Sequence, residues 1–413
     1  MSSQLLTINS QRLQDDISTL AQIGRKEDHG IYRMAFSDGD LLGRQWLQKQ
    51  ITNANLDLYE DGAANIHARL GWDGTTPSVI TGSHIDSIPG AGHLDGALGV
   101  LVGLECLRRF KEDNLSFNFP LELIAFTDEE GRFGGMFGSQ AICGQLTPDK
   151  IYNAVDLDGK SVVDAMGHFG YDPMAALMAR RSPESIHSFV ELHIEQGPVL
   201  DNENISIGIV EGIAGLFKWN VSLIGNANHA GTTPMNMRQD ALQGLAEVAS
   251  QIDRVLEEYG SPRSVATIGR VELNPGAANV IPGTVEFSLE VRDVNKETLD
   301  MLADAFRRSI SAIARRRDLM FEFEVLSEIK PVKCDSNIIQ TITDVTKEFE
   351  FESMVLPSGA AHDTQIMASI TKAGMIFVPS VDGKSHSPAE WTQWEDIERG
   401  ANVLLNTLYR LAK

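Results

Sequence analysis

The chain has 413 residues, of which 42% are hydrophobic and 22% charged, and its formal charge at pH 7 is −22. That length is more than one hydrophobic core usually serves, so two domains, or one domain carrying a large insertion, are expected. The charge excludes nucleic acid and anionic membrane as partners, because both would be repelled, and any positive charge in a binding site is then local.

The N-terminal segment MSSQLLTINSQRLQDDISTLAQIG reads as a polar amphipathic helix and lacks the basic start and apolar core of a signal peptide. No stretch reaches the ~18 continuous apolar residues of a membrane span. Cys106, Cys143 and Cys334 form an odd, widely spaced set without a Cys-x-x-Cys pair, which disfavours a disulfide framework and a thiolate zinc site. A soluble, cytoplasmic protein with buried thiols is the expectation.

Helical patterning runs from residue 7 to about 50. Apolar strands at 78–82, 121–126 and 189–193 then alternate with longer helical stretches such as 98–110, which suggests an α/β sheet with crossover helices. After Gly212 the order becomes strand 217–224, helix 240–259, strands 265–273 and 285–292, helix 296–317 and strand 320–325. That βαββαβ succession is a two-layer α+β unit able to bury its own core. The α/β pattern resumes after Lys330 and ends in a helix at 395–412. The expected architecture is therefore an α/β domain built from 1–213 and 329–413, interrupted by an inserted α+β domain at 214–328.

Four segments carry metal-binding chemistry. In SHIDSIPGAGHLDG, alternation puts His84 and Asp86 on one side of an extended chain, so Asp86 could fix the tautomer of a metal-bound His84. Asp95 lies in the following Gly-rich turn, where a carboxylate can bridge two cations. Gly90, Gly92 and Gly96 do not form a dinucleotide loop: the spacing is wrong for G-x-G-x-x-G, and an Asp there would repel a pyrophosphate. His93 reads as a polar loop residue. FTDEEGRF ends an apolar strand with adjacent carboxylates, Glu129 and Glu130, one able to bind a metal while the other moves a proton. ELHIEQG offers His193, Glu195 and Gln196, and GKSHSPAEW offers His386 after an apolar run. Three His with Asp95 and Glu130 make a mixed nitrogen and oxygen donor set suited to a pair of Zn²⁺ or Mn²⁺ ions.

These segments together resemble the dinuclear-metal amidohydrolase and aminoacylase family that contains the N-carbamoyl-L-amino acid hydrolases, the allantoate amidohydrolases and the β-ureidopropionases. Matching segments extend from about Gly82 to Trp391. The resemblance implies two divalent ions per subunit (Zn²⁺ or Mn²⁺, with Co²⁺ or Ni²⁺ as further options). It assigns His84 and His193 to one metal, Glu130 and His386 to the other, Asp95 as the bridge and Glu129 as the general base. It also implies that the inserted domain is a lid and dimerisation surface, giving a homodimer. His229 in GNANHAGTTPM, Asn279 in NPGAANVIPG and Arg292 in EVRD match that domain's motifs, and Gln196, Gly359 and His362 of PSGAAHD match further substrate-binding positions.

Read physically, Arg292 in so acidic a chain is a bidentate clamp for a substrate carboxylate, His229 an oxyanion stabiliser and Asn279 an amide contact. The resemblance further implies that backbone amides around Gly359 bind the substrate carboxylate and that His362 lies near the carbamoyl end. His29, His67, His168 and His187 match no motif and are read as structural or exposed.

The expected reaction is hydrolysis of the carbamoyl C–N bond of an N-carbamoyl-L-amino acid to amino acid, CO₂ and ammonia. Allantoate and β-ureido acids are the alternative substrates, with an aminoacylase or peptidase next. A non-catalytic metal-dependent binding protein would have lost Glu129 or a ligand, and a nicotinamide dehydrogenase would need a dinucleotide fingerprint. The chain departs from the family pattern between Gly131 and Arg132, which has one residue fewer than usual, and at 89–92, where Pro-Gly-Ala-Gly replaces the usual Asn-Gly-Gly.

Overall fold

A computed structural model describes residues 5–413. The chain divides into two compact units: one runs up to Glu211 and resumes at Cys334–Lys413, and the other is Gly212–Lys333. In chain order the strands are β1 (Asp57–Glu60), β2 (Ile66–Leu70), β3 (Ser78–His84), β4 (Leu121–Phe126), β5 (Ile186–Ile194), β6 (Ile207–Ile213), β7 (Gly215–Ile224), β8 (Asn228–His229), β9 (Val265–Thr267), β10 (Val271–Asn274), β11 (Val280–Ile281), β12 (Thr284–Asp293), β13 (Met320–Ile329), β14 (Val332–Lys333), β15 (Ser353–Ser358) and β16 (Ala373–Val378).

The first unit is a mixed α/β layer structure. Its sheet runs β1-β2-β4-β3-β5-β16-β6, with β15 also paired to β6. β4, β3, β5 and β16 are mutually parallel, and the flanking pairs β2/β4 and β16/β6 are antiparallel. Parallel strands are covered on both faces, which is why β3, β4 and β16 are buried at every residue rather than alternating. The helix Ala97–Glu112 is buried around nearly its whole circumference and shares one core with the sheet and with helices Ser10–Leu20 and Trp394–Leu411. The carboxyl ends of the parallel strands point to one edge of the sheet, where open α/β sheets place their ligands.

The inserted unit has its own core, formed where helices Ala241–Ser250, Ile252–Tyr259 and Lys296–Arg316 pack on the sheet β10-β12-β7-β13. β7 and β12 alternate strictly between buried and half-exposed residues, the signature of a sheet covered on one face. β9 pairs with β12, and β8 with β11 forms a separate two-stranded ribbon.

Several element boundaries differ from expectation. The helical pattern at 7–50 is two helices, Ser10–Leu20 and Asp38–Asn53, because Gly24 (φ 82°) and the positive-φ residues His29 and Phe36 turn the chain between them. The strand expected at 265–273 is split into β9 and β10. The helix expected at 240–259 is interrupted at Gln251. Among the described residues no helix is long and apolar enough to cross a membrane.

Candidate metal centre

The site forms at the carboxyl ends of β3, β4, β5 and β16. His84 is the last residue of β3, Glu129 and Glu130 follow β4, His193 is near the end of β5, and His386 lies beyond β16. Candidate ligand atoms of His84, Asp95 and His193 lie within 4.8 Å of one another, as do those of Asp95, Glu130 and His386. Asp95 is common to both groups: its Oδ1 is 3.1 Å from His193 Nε2 and 3.7 Å from His84 Nε2, and its Oδ2 is 3.2 Å from His386 Nε2. Glu130 Oε2 is 3.5 Å from His386 Nε2, and Glu129 Oε2 is 3.4 Å from His84 Nε2.

Tautomers follow from the backbone. His84 Nδ1 lies 3.0 Å from the Asp86 carbonyl and His193 Nδ1 lies 2.8 Å from the Ile194 carbonyl. A carbonyl only accepts, so each Nδ1 carries a proton; in the neutral ring that leaves the Nε2 lone pair for a metal, whereas without one His193 donates Nε2–H to Asp95 Oδ1. Gly96, at φ 61°, makes room: a Cβ there would collide with the His84 ring.

Asp86 acts differently from the expectation. The group that orients His84 is its main-chain carbonyl, while its carboxylate, 3.9 Å from His84 Nδ1, accepts the backbone amides of Glu129 (3.3 Å) and Glu130 (3.2 Å). The His84 ring turns toward the nearer carbonyl, leaving the carboxylate to shape the turn that carries both glutamates.

The electrostatics call for positive charge. Burial raises Glu130 to about 8, with the Asp95 charge adding to it. Burial, then Asp363 and Glu130, raise Glu129 well above the carboxylate range. Burial alone would push His193 down, but its hydrogen bond to Asp95 overrides this and holds it at about 9. His386 is raised to about 9 by its hydrogen bond to Asp95, against a partial desolvation. His84, buried without so close a partner, falls to about 4. Protons therefore gather where carboxylates crowd, and divalent cations would relieve the same repulsion. Glu130 Oε1 is buried without a hydrogen-bond partner, so one ligand atom is already desolvated and uncommitted. The donor set fits Zn²⁺ or Mn²⁺.

Around this cluster, Gln196 Nε2 donates to Asp95 Oδ2 at 2.7 Å and its Oε1 is buried without a partner. His362 is buried, its ring centroid 4.5 Å from that of His193 and its Nε2 2.9 Å from Ser358 Oγ. Gly359 is exposed just after β15, with open space where a Cβ would be. Glu195 does not join the cluster; its carboxylate accepts the amides of Val199 and Leu200 at the start of a short helix. His93 packs against Trp391 with ring centroids 5.7 Å apart. Glu191 comes near His193 and His362, but its oxygens are used by Ser83 (2.7 Å) and by the amide (3.0 Å) and hydroxyl (2.6 Å) of Thr364.

Sequence reasoning overlooked Glu390. Its Oε1 accepts the amides of Leu94 (2.8 Å) and Asp95 (3.0 Å), and Ser385 Oγ donates to both its Oε2 (3.1 Å) and Asp95 Oδ2 (2.9 Å). The available signal was a lone acid in the apolar stretch PAEW, four residues beyond His386.

The inserted unit carries the other three residues. His229 Nδ1 accepts the amides of Gly231 (3.0 Å) and Thr232 (3.2 Å), so the neutral ring keeps its proton on Nε2 as an exposed donor. Asn279 is the turn residue just before β11, and its carbonyl accepts the Ala230 amide at 2.9 Å. Arg292, on β12, holds Glu290 through Nε (2.9 Å) and Nη2 (2.7 Å).

A mixed sheet with a five-residue His and carboxylate cluster at its parallel strand ends defines a metallohydrolase of the aminoacylase and metallopeptidase class. The chain belongs to Peptidase family M20/M25/M40, whose profile matches residues 72–410, and within it to the hydantoinase/carbamoylase group of amidases. It is 39% identical over 412 residues to the N-carbamoyl-L-amino acid amidohydrolase of Geobacillus stearothermophilus, covering 98% of this chain and 99% of that relative. It is 34% identical over 412 residues to the allantoate amidohydrolase of Escherichia coli K12, covering 99% of each. The crystal structure of a hydantoinase/carbamoylase family amidase from Burkholderia multivorans superposes with a TM-score of 0.91 at 33% identity, covering 98% of both chains. The protein is thus an amidohydrolase acting on carbon–nitrogen bonds other than peptide bonds.

Proposed function

We propose that this protein hydrolyses the carbamoyl C–N bond of N-carbamoyl-L-amino acids. The observation that carries the reading is the sharing of Asp95 between two ligand groups with Glu129 alongside, 3.4 Å from His84. The 39% identity to an N-carbamoyl-L-amino acid amidohydrolase supports the choice of substrate. Two divalent cations, Zn²⁺ or Mn²⁺, would be held by His84, Asp95 and His193 and by Asp95, Glu130 and His386. When bound, they supply Lewis acidity that makes water nucleophilic near neutral pH.

In this reading Glu129 takes the proton of the attacking water as its oxygen bonds to the carbamoyl carbon. Burial and the neighbouring carboxylates raise its proton affinity when no metal is bound, and bound cations would lower it again, leaving a carboxylate free to accept a proton and return it. Glu129 delivers that proton to the amino nitrogen as the C–N bond breaks, and the carbamic acid released decays to CO₂ and ammonia. His229 donates Nε2–H to the oxyanion. Arg292 takes the substrate carboxylate, with Gln196, Asn279, Gly359 and His362 completing recognition. To bind a carboxylate bidentately, Arg292 would have to exchange part of its contact with Glu290.

The inserted unit is assigned to lid and dimerisation roles. Its outer strands β10 and β13 expose Val271, Leu273, Val325 and Leu326, the kind of sheet edge that a second copy can cover. Sedimentation equilibrium giving a monomer would remove the dimer.

The deciding experiment is ammonia release by Mn²⁺- or Zn²⁺-loaded protein on N-carbamoyl-L-amino acids, N-carbamoyl-β-alanine and allantoate, with N-acetyl amino acids and dipeptides as controls. Turnover confined to N-carbamoyl-L-amino acids supports the reading. Preference for allantoate or the β-ureido acid would replace it, and activity on the controls alone would make the protein an aminoacylase or peptidase.

A further inference from the structure

A cavity of about 290 Å³ lies in the first unit between three stretches of chain: the end of helix Ser10–Leu20 with the loop after it, the pair Gly92 and His93, and the segment from Pro388 to Trp394. None of the candidate metal ligands lines it, although Asp95 follows two residues after His93. Gly92 belongs to the stretch 89–92, where the chain departs from the family pattern. A Cβ there would collide with Glu390, so this glycine lets the 388–394 segment close against the loop and form one wall.

The lining runs against the charge of the chain. Arg25, His29 and His93 contribute to it and no carboxylate does, in a protein whose formal charge is −22. Arg25 and His29 are exposed, and neither side chain has a hydrogen-bond or ion-pair partner among the described residues. Asp28, next to His29, is committed to the Tyr32 hydroxyl (2.5 Å) and the Gly30 amide (3.0 Å), and Glu390, next to Trp391, to the amides of Leu94 and Asp95. The aromatic part of the lining is a corner. The rings of Trp391 and Trp394 are 5.2 Å apart and nearly perpendicular, at 88°, and His93 lies 5.7 Å from Trp391. A flat ring entering that corner meets the face of one indole and the edge of the other, both favourable aromatic contacts. The volume is near the small end of the roughly 300–1,000 Å³ of small-molecule sites, which suits one ring with a short acid chain.

We propose that this cavity is a second binding site, separate from the metal centre, and that it takes a small aromatic carboxylate, with the ring against Trp391 and Trp394 and the carboxylate on Arg25. A guanidinium presents paired donors in the plane that a carboxylate matches, and Arg25 has no acid of its own to give up. A neutral aromatic amide forgoes the charge-assisted contact. An aromatic amino acid is disfavoured as well, because its ammonium group meets the Arg25 charge and finds no carboxylate in the lining.

The test is isothermal titration of Mn²⁺-loaded protein with phenylacetate, phenylacetamide and L-phenylalanine, in the wild type, in Arg25→Glu, which reverses the charge, and in Ser18→Trp, which fills the cavity from the helix side. Ser18 and Arg25 are both exposed, so neither change disturbs the core, and circular dichroism checks that the variants fold alike. The expected result is that phenylacetate binds the wild type at least tenfold more tightly than either of the other two compounds, and that each variant weakens phenylacetate at least tenfold. Absence of phenylacetate binding, or equal binding of phenylacetamide or phenylalanine, would overturn the proposal. Equal phenylacetate affinity in the wild type and both variants would place the carboxylate on the metal ions instead and would overturn it too. None of these readouts depends on which ureido acid is hydrolysed, so the outcome is independent of the reading of function above.

Discussion

Glu390 holds Asp95 by its backbone: Glu390 Oε1 accepts the Asp95 amide at 3.0 Å, and Ser385 ties the two carboxylates together. Glu390, which is not one of the candidate ligands, thereby sets the position of the carboxylate common to both ligand groups. Replacing it leaves two buried amides without an acceptor, at a cost of about 1–3 kcal/mol each. Glu390→Ala is expected to lower stability by this order and to weaken metal binding roughly 10- to 100-fold, as supporting residues around metals generally do. Thermal unfolding and a metal titration check the two parts separately; unchanged affinity would make Glu390 merely structural.

Gly96 has the opposite role, being required for what it lacks. Its φ of 61° with ψ −49° and the collision a Cβ would make with His84 predict that Gly96→Ala displaces the imidazole, on top of about 1–3 kcal/mol of backbone strain. The expected outcome is a folded protein, by circular dichroism, with weakened metal binding in isothermal titration.

Glu129→Gln keeps the shape of the side chain and removes the proton acceptor. Metal content by elemental analysis is expected to be unchanged while kcat falls roughly 10²- to 10⁴-fold. Retained turnover would remove Glu129 from the base role.

Arg292→Ala is expected to act on binding. Loss of a charge-assisted contact worth about 1.5–3 kcal/mol corresponds to a roughly 10- to 150-fold rise in KM with kcat little changed. The informative control is a substrate amide lacking the carboxylate, for which the variant and wild type should converge.

Acid stability depends on a network away from the metal centre. Glu122 is fully buried on β4 and is bonded to His67 (2.9 Å), Arg69 (2.8 Å), Arg181 (3.0 Å) and Ser78 (2.9 Å). Burial opposes its ionisation, but the bond to His67 and the two guanidinium charges outweigh this and hold Glu122 well below the carboxylate range. A depressed folded pKa contributes stability that is fully present above the unfolded value of about 4.3 and is lost as pH falls toward the folded one. Denaturant midpoints should therefore decline with pH below about 4 in the wild type. Glu122→Gln should be about 3–5 kcal/mol less stable at neutral pH, with a flatter acid limb.

Much of the architecture was legible from periodicity. The strand at 121–126 appears with the expected bounds, and the helix expected at 98–110 is Ala97–Glu112, because length separates the two kinds of apolar run: 6 residues suit a buried strand and 16 a buried helix. The break between residues 20 and 38 was not legible, since it depends on positive-φ residues such as His29 and Phe36, whose conformation no periodicity reports. The β8/β11 ribbon was missed because two-residue strands carry no pattern.

By itself the sequence determined which residue types could perform the chemistry: an acidic pair after a strand, histidines at strand ends and a carboxylate in a glycine turn are local arrangements that chain order records. Tertiary structure alone decided how they meet. The two histidine tautomers depend on the nearby carbonyls of Asp86 and Ile194, the Asp86 carboxylate on the turn it meets 43 residues later at Glu129, and Asp95 on Glu390, 295 residues away. Hydrogen bonds act over about 3 Å whatever the separation along the chain, so these relationships exist only once the sheet has brought the strand ends together.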